Sequence, residues 1–519
     1  AGEPAGMAEF CSIRRTGISD DAHKKIYTED HSIHPTRRLS MTEKSLWQQW
    51  ETLRQAGAEM TLAATAELAE GLRSLSPEEN LHLERMKLTD FRCFSQLSVT
   101  FDRNLTVFHG ENGRGKSTLL DAAAKALSWV EAGIVGANSR GSAISEDDIR
   151  LSDTTAETSG DKAETAATFS LGKATIRGIL SKRRRGTEGS AVSDLRSLQS
   201  VGAMFRALRT TESISRPLFL YLAANRGGNY RAKVSQAEFA NVGKRLNAVY
   251  RGTEAYNRAV QTEKSPAQFL GWLAFYGKRA RFHPETAERE AAIRKLSQVK
   301  SAVRGFWPDC TDVRWDAASG WDQIIVERNG VPLAHHQLSD GERMVFFLFG
   351  EIAWRLTELN PQGNAAEGGG IVLIDEIELH LHPQWQLTVI ESLRRTFPHL
   401  QFIITTHSPL VLTTVRRECV RNLPEHIRAV EDLQSPTDQT RSLSSNDILE
   451  SVMNTASAPT QFEETRWLAE CQTAILERRL PQAQALFKKV SDYFGPENPQ
   501  VMVLKAMLKA AERATRGQS

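Results

Sequence analysis

Gly110, Glu111, Asn112, Gly113, Arg114, Gly115, Lys116 and Ser117 stand in one unbroken run. Spaced glycines let main-chain N–H groups curl around an anion, and a lysine followed by a serine adds a cation and a hard oxygen. That combination is built for phosphate. Lys116 should reach the β and γ phosphates, Ser117 should offer its hydroxyl to Mg²⁺, and Thr118 should help with the α phosphate. A structural glycine loop would need no strand before it and no helix after it, and both are expected here. A second run, Ile371–Ile374, places four aliphatic residues before Asp375 and Glu376. It reads as a parallel strand buried on both faces, with two acids at its carboxyl end. Asp375 would hold Mg²⁺ and Glu376 would polarise the attacking water, as phosphoryl transfer to water requires. Leu338-Ser339-Asp340-Gly341-Glu342 opens a helix, with Ser339 as N-cap and Glu342 as its capping-box partner. Beyond capping, the Ser339 hydroxyl and the Gly341 N–H at a helix N-terminus form one pole of a second anion site. Finally, His407 follows an apolar strand inside Thr405–Pro409 and is a candidate sensor of the γ phosphate.

Elements must hold these residues in place. Leu105–His109 reads as the strand before the glycine loop and Leu119–Val130 as the helix after it. Leu97–Phe101 is a β segment just upstream, with Asp102–Asn104 as a turn. Ala166–Leu171 and Ala174–Leu180 suggest a hairpin. Leu218–Ala223 and Phe402–Thr405 are further strands. Residues 131–160 and 433–446 read as loop and linker. A three- and four-residue apolar spacing from Leu46 to Met60 predicts an amphipathic helix, extended to Leu75. The last ~70 residues read as helices, including Trp467–Leu480 and Pro481–Phe494.

The chain has 519 residues, 40% of them apolar and 25% charged, so a sizeable core is possible and wholesale disorder is excluded. No apolar run approaches the ~18 residues of a membrane span. Five scattered cysteines without a CxxC pair argue against a disulfide framework or a zinc site and fit a reducing cytoplasm. The net charge is only +2, yet Lys182–Arg304 holds 24 Lys/Arg against 9 Asp/Glu. Lys182, Arg183, Arg184, Arg185, Lys244, Arg245, Lys278, Arg279 and Arg281 are the candidate contacts to a phosphate backbone or a partner, weighed against a simple solvated face. Trp272, Phe275 and Tyr276 lie beside the last group.

In order and spacing, these motifs resemble the ABC-type ATPase heads of the SMC, RecF and OLD lineage. Gly110–Ser117 is similar to Walker A, Leu338–Glu342 to the ABC signature, Ile371–Glu376 to Walker B, and His407 to the switch histidine. Leu88–Phe94 resembles that lineage's opening strand, whose arginine, here Arg92, lies near the nucleotide. Asp375–Pro383 is similar to the DEPELHLHP run of stand-alone "AAA-like" ATPases of prokaryotic defence systems, with Ile377 in place of the usual proline. The tail, Ser444–Leu449 and then Ala483, Leu486 and Phe494-Gly495, resembles the PtuA family of Septu and retron anti-phage systems.

The resemblance implies an α/β fold: an ABC-type head with a mixed sheet and a helical insertion lobe, plus N-terminal and C-terminal helical segments. Boundaries follow as an arm over 1–40, helices over 41–85, lobe I over 86–181, a basic, largely helical insertion over 182–304, lobe II over 305–432, and a partner-binding segment over 433–519. It implies ATP and Mg²⁺ as ligands and slow ATP hydrolysis. It also implies a head-to-tail homodimer in which Ser339, Gly341 and Glu342 of one copy complete the other's site. The family's partners are an HNH-type nuclease (PtuB-like) and, in retron systems, a reverse transcriptase with its RNA–DNA. Three other readings remain: a RecF- or SMC-like DNA-repair ATPase, a scaffold whose head binds ATP without turnover, and an OLD-type ATPase-nuclease. The last needs a TOPRIM module, and no D-x-D triplet follows His407. The Q-loop glutamine has no counterpart between residues 130 and 180, where Asp147 and Asp148 are weak substitutes; Arg226 resembles a recurrent family arginine.

Overall fold

A computed structural model describes residues 45–55, 61–151, 161–209, 214–224, 236–247, 253–261, 267–317, 323–360, 363–423, 429–430, 433–453, 455 and 462–516. The proposed arm over 1–40 and Arg226 lie outside the described residues. In chain order the strands are β1 (His82–Phe91), β2 (Phe94–Thr100), β3 (Leu105–His109), β4 (Lys162–Leu171), β5 (Ala174–Arg183), β6 (Leu218–Leu222) and β7 (Cys310–Asp316). They continue with β8 (Gln323–Arg328), β9 (Val331–Ala334), β10 (Gly370–Ile374), β11 (Leu400–Thr406), β12 (Val420–Asn422) and β13 (Ala429–Val430).

The central sheet has the order β12-β3-β11-β10-β6, and every pairing in it is parallel. β3, β6, β10 and β11 are buried along their whole length. Their near-continuous apolar sequences are what strands covered on both faces require. All five carboxyl ends share one edge, so the loops after β3, β10 and β11 converge there, where open parallel sheets take their ligands.

The second sheet has the order β13-β2-β1-β4-β5. Its β1, β2, β4 and β5 pair antiparallel, and buried residues largely alternate with accessible ones along β2 and β5. One face covers the core and the other meets solvent. The expected hairpin of 166–171 with 174–180 is present and longer. The β segments on either side of Asp102 are not neighbours: β2 lies in this sheet and β3 in the central one. Asp102 makes the switch, its Oδ1 accepting from the Asn104 and Leu105 N–H groups at 2.9 and 3.1 Å. Gln401 of β11 joins the two sheets. Its side chain accepts from the Leu83 N–H and donates to the Leu83 and Asp102 carbonyls, each at 2.8 Å.

The helix after the glycine loop spans Lys116–Val135, five residues beyond the expected end. It crosses the Arg196–Ala207 helix closely enough that a Cβ on Gly202 would sit 2.3 Å from the Val130 carbonyl. Lys182–Arg304 is not wholly a helical insertion, because it supplies β6 to the central sheet. Its other helices are Gln236–Asn247, Ala267–Phe282 and Thr286–Phe306. The helix Asp340–Leu359 is buried from Arg343 to Leu359. It contains a fully buried Arg355–Glu351 pair at 3.0 Å, with Trp354 Nε1 donating to the same carboxylate. A third sheet, β7-β8-β9, leads directly into that helix.

At the N-terminal side, the expected single helix is described as two, Leu46–Gln55 and Leu62–Arg73, the second capped by Thr61. Trp50 anchors the first by donating to Ser200 Oγ at 3.0 Å. Within the expected linker over 433–446 most residues are exposed, while Leu433 and Thr440 are buried and Thr440 donates to the Val415 carbonyl. Helices Glu463–Leu476, Leu480–Phe494 and Pro499–Arg516 enclose a small core of their own around Cys471, Ile475, Val490 and Leu504.

Candidate functional site

The glycine loop connects β3 to the helix that starts at Lys116. Gly113 and Gly115 hold φ of 81° and 86°, a region glycine enters at no cost. A Cβ on Gly115 would also meet Cys93 Sγ and Phe94 Cζ at 2.6 Å, so the loop lies directly on β2's first residue. Lys116 is buried, and its ammonium donates to the Gly110 and Glu111 carbonyls at 2.7 and 2.9 Å. Burial lowers its pKa, and Asp375, Glu376 and Glu378 oppose that. The ammonium therefore folds back across the loop, where phosphate oxygens would compete for it. Arg114 is held by Glu111 at 2.6 Å.

Asp375 follows β10 and is 3% exposed. Ser117 Oγ donates to its Oδ2 at 2.7 Å and Thr405 Oγ1 to its Oδ1 at 2.5 Å. The same Thr405 hydroxyl accepts from the Glu376 N–H at 2.8 Å. One side chain thus fixes the first acid and the backbone of the second. Glu376 has φ 49°, an unusual conformation for a non-glycine residue. Ile377 is fully buried, and its N–H donates to the Thr405 carbonyl at 3.1 Å, a bond the usual proline could not make.

A hydroxyl and a carboxylate oxygen in contact suit Mg²⁺, which takes one or two carboxylates and leaves its other positions to water and phosphate. Ser117 and Asp375 fit that description. Among the described residues, no cluster of three or more His, Cys, Asp or Glu could hold a metal.

β11 and β3 bring two histidines to this edge. His407 follows β11, and its N–H donates to Glu378 Oε1 at 2.6 Å, while Thr406 donates to Oε2 at 2.7 Å. His109 ends β3, opposite Thr406 in the register. It is buried, its Nδ1 has no hydrogen-bond partner, and burial together with Lys116 and His407 pushes its pKa down to about 4. Burial, then Lys116, also lowers His407, against Glu378 and Asp375. Both rings are therefore neutral near pH 7.

Ser339 caps the Asp340–Leu359 helix in a complete capping box with Glu342 and stays exposed. Glu342 is held by Arg328 of β8 at 2.6 Å. A Cβ on Gly341 would lie 2.7 Å from the His380 carbonyl, so the signature loop packs on the turn that follows Asp375 and Glu376.

Arg92 points its guanidinium at two carboxylates, Asp121 at 2.6 Å and Asp148 at 2.8 Å. Asp148 is buried by these contacts and by Lys125 at 3.1 Å, while Asp147 is exposed. The basic residues do not form one group. Lys182 and Arg183 end β5, and Arg185 pairs with Glu146. Lys244 and Arg245 lie on a helix packed against the one carrying Lys278, Arg279 and Arg281. Arg245 pairs with Glu254 and Arg279 with Glu288, each at 2.8 Å, and Lys278 lies over Trp315. Trp272 is wholly buried and donates to Glu358, so it belongs to the core. Thr405, Glu378 and His109 are the site residues that motif spacing did not single out. The signal for Thr405 and His109 was a polar residue at the end of a largely apolar strand, and for Glu378 a further acid two residues after Glu376.

A family model described as "AAA domain" matches residues 85–302, and one described as "AAA domain, putative AbiEii toxin, Type IV TA system" matches 278–413. The retron Vc95 probable ATPase of Vibrio cholerae serotype O1 biovar El Tor is 27% identical over 421 residues, 73% of this chain and 80% of that protein. The retron Ec83 probable ATPase of Escherichia coli is 25% identical over 484 residues, 82% of this chain and 86% of that protein. Septu protein PtuA of Bacillus mycoides (strain KBAB4) is 41% identical over 117 residues, 22% of this chain and 16% of that protein. The chain thus matches AAA-domain family models between residues 85 and 413, carries its motifs in an ABC-type order, and is similar to retron ATPases and to Septu protein PtuA.

Proposed function

We propose that this chain is the ATP-binding and ATP-hydrolysing switch subunit of an anti-phage defence complex. The observation that carries this reading is the Ser117–Asp375–Thr405 chain of hydrogen bonds, which ties the glycine loop to the acids after β10. The loop N–H groups and the N-terminus of the Lys116–Val135 helix receive the phosphates. Lys116 exchanges its two carbonyl contacts for the β and γ phosphates. Ser117 and Asp375 hold Mg²⁺, which neutralises charge on the phosphates when bound. Glu376 polarises the attacking water, and His407 donates to the γ phosphate as a neutral imidazole.

Two copies pair head-to-tail, with Ser339, Gly341 and Glu342 of each closing the other's site. Exposure of the Ser339 cap supports this. A nucleotide that binds only the closed pair shifts the open–closed equilibrium by its differential affinity. The helices after residue 462 contact a separate HNH-type nuclease. Their exposed Leu476, Tyr493, Met502 and Val503 support that role. A retron reverse transcriptase and its RNA–DNA belong to the same assembly, in line with the two retron relatives.

Steady-state turnover of Glu376→Gln tests the reading. Hydrolysis should fall by at least about a hundredfold, the scale of removing a positioned base, while binding of a fluorescent ATP analogue persists. Normal turnover in that variant would remove Glu376 from the chemistry.

A further inference from the structure

The solvent face of the second sheet carries cations that the nucleotide site does not use. Cross-strand register settles which side chains share that face. Lys87 on β1 stands opposite Ser98 on β2 and Ala166 on β4. Arg85 stands opposite Thr168, which in turn stands opposite Arg177 on β5. Arg85, Lys87 and Arg177 are exposed and, with Gln96, Ser98 and Thr168, line a shallow basin of about 420 Å³. None of the three cations is paired with a carboxylate among the described residues.

No carboxylate lines the basin, and the acids on the neighbouring strand positions have partners of their own. Glu164 is held by Lys162 at 2.7 Å, and Glu84 accepts from Ser170 Oγ at 2.6 Å. The three cations on this flat surface are therefore open to an external anion.

Spacing and chemistry narrow the choice. At ~3.4 Å per residue, Arg85 and Lys87 are about 7 Å apart along β1, and Arg177 is about 10 Å away across two strands. A duplex carries one charge per ~1.7 Å of axis, so a patch of this size faces several phosphates at once. Gln96, Ser98 and Thr168 add the neutral donors that backbone contacts commonly use. The basin lacks an apolar anchor of the kind found at the centre of protein interfaces. It also lacks an aromatic ring, and single strands are held largely by stacking on such rings. Toward the far end of β5, Arg183 stands opposite Lys162, whose charge Glu164 offsets.

We propose that this sheet face docks the phosphate backbone of double-stranded nucleic acid, without reading its sequence. The proposal rests on nucleic acid being a partner of the complex and is independent of ATP hydrolysis.

The test uses the full chain and a labelled duplex of about 30 base pairs, read by fluorescence anisotropy between about 50 and 250 mM salt. The combined variant Arg85→Gln, Lys87→Gln, Arg177→Gln should bind at least tenfold more weakly. Its slope of log affinity against log salt should shrink by about 2.7, at 0.9 per lost contact. Lys87→Gln alone should shrink it by about 0.9, which keeps the assay readable if the combined variant folds poorly. Lys173→Gln, on the tight β4–β5 turn, should leave both quantities unchanged. Unchanged binding in the combined variant, with the wild type binding duplex, overturns this surface alone. A wild type that ignores duplex overturns nucleic acid as a partner as well. Tighter binding to a single strand of equal length overturns the duplex assignment. Displacement by polyglutamate at equal charge points instead to an acidic protein.

Discussion

Thr405 is the residue on which both acids depend. It donates to Asp375 and accepts from the Glu376 N–H, so losing its hydroxyl frees a carboxylate and relaxes a backbone held at φ 49°. Thr405→Val keeps the shape and removes both bonds. Removing a group that orients a metal ligand costs about ten- to a hundredfold in metal affinity or activity. Turnover should fall by that factor with a raised Mg²⁺ requirement, and Thr405→Ser should restore it. Equal Mg²⁺ titrations for Val and wild type would show that Asp375 needs no such support. His109 makes a separate statement about pH. Its folded pKa of about 4 lies below the ordinary 6.5, so the unfolded chain binds its proton first as pH falls. Stability is therefore unaffected above pH 6.5 and declines from there to about pH 4. That span corresponds to about 3 kcal/mol. His335, also near 4 through burial, adds a similar fall. Urea denaturation across this range should show His109→Phe with a shallower decline than wild type; parallel curves would mean that His109 already titrates normally.

Elements differ in how openly the sequence declares them. Leu218–Leu222 and Ile371–Ile374 are apolar throughout, and Leu400–Thr406 is apolar in its middle, as an element buried on both faces requires. The glycine loop is equally legible, because few chemistries need that spacing. Sheet membership is not legible. β2 and β3 are separated by four residues, yet they join different sheets, since pairing is decided by partners distant in the chain. The Glu131–Val135 turn of helix looked like loop because its small residues serve contact with Gly202 rather than periodicity. Thr405 looked like part of an apolar strand because its hydroxyl acts on a carboxylate thirty residues away. Gln401 belongs with these hidden determinants. It is 2% exposed, and its amide bridges the parallel sheet to the antiparallel one. Gln401→Leu would strand the Leu83 N–H and carbonyl in the core, at about 1–3 kcal/mol for each unsatisfied group. The urea midpoint should drop accordingly, with ATP-analogue affinity preserved in the folded fraction. A change under about 0.5 kcal/mol, the scale of a neutral surface substitution, would mean that the sheets are held together by their apolar contacts alone.

At the scale of the whole molecule, the question is where one catalytic unit ends. Ser339 is exposed while the Asp340–Leu359 helix behind it is buried, so the signature is presented outward from a rigid support. Gly341 lies against the His380 carbonyl, which links that presentation to the loop after Asp375 and Glu376. On the proposed composite site, a shift in one copy's acids would be felt at the surface offered to a second copy. If the composite-site proposal holds, Lys116→Ala and Ser339→Arg should each be inactive alone, the first for lack of its own lysine and the second because it blocks a neighbour. Mixed in equal amounts with free exchange of subunits, half of the pairs combine one of each. In such a pair one site joins an intact lysine to an intact serine, so about a quarter of wild-type turnover should return, as expected for a two-fold pair with heterologous contributions to each site. If each chain completed its own site, mixing would restore nothing. The two outcomes differ qualitatively, and the recovered fraction also reports how many chains each site draws its serine from: larger closed assemblies built from such pairs keep the quarter, whereas a site that needs an intact Ser339 from two neighbours falls below it.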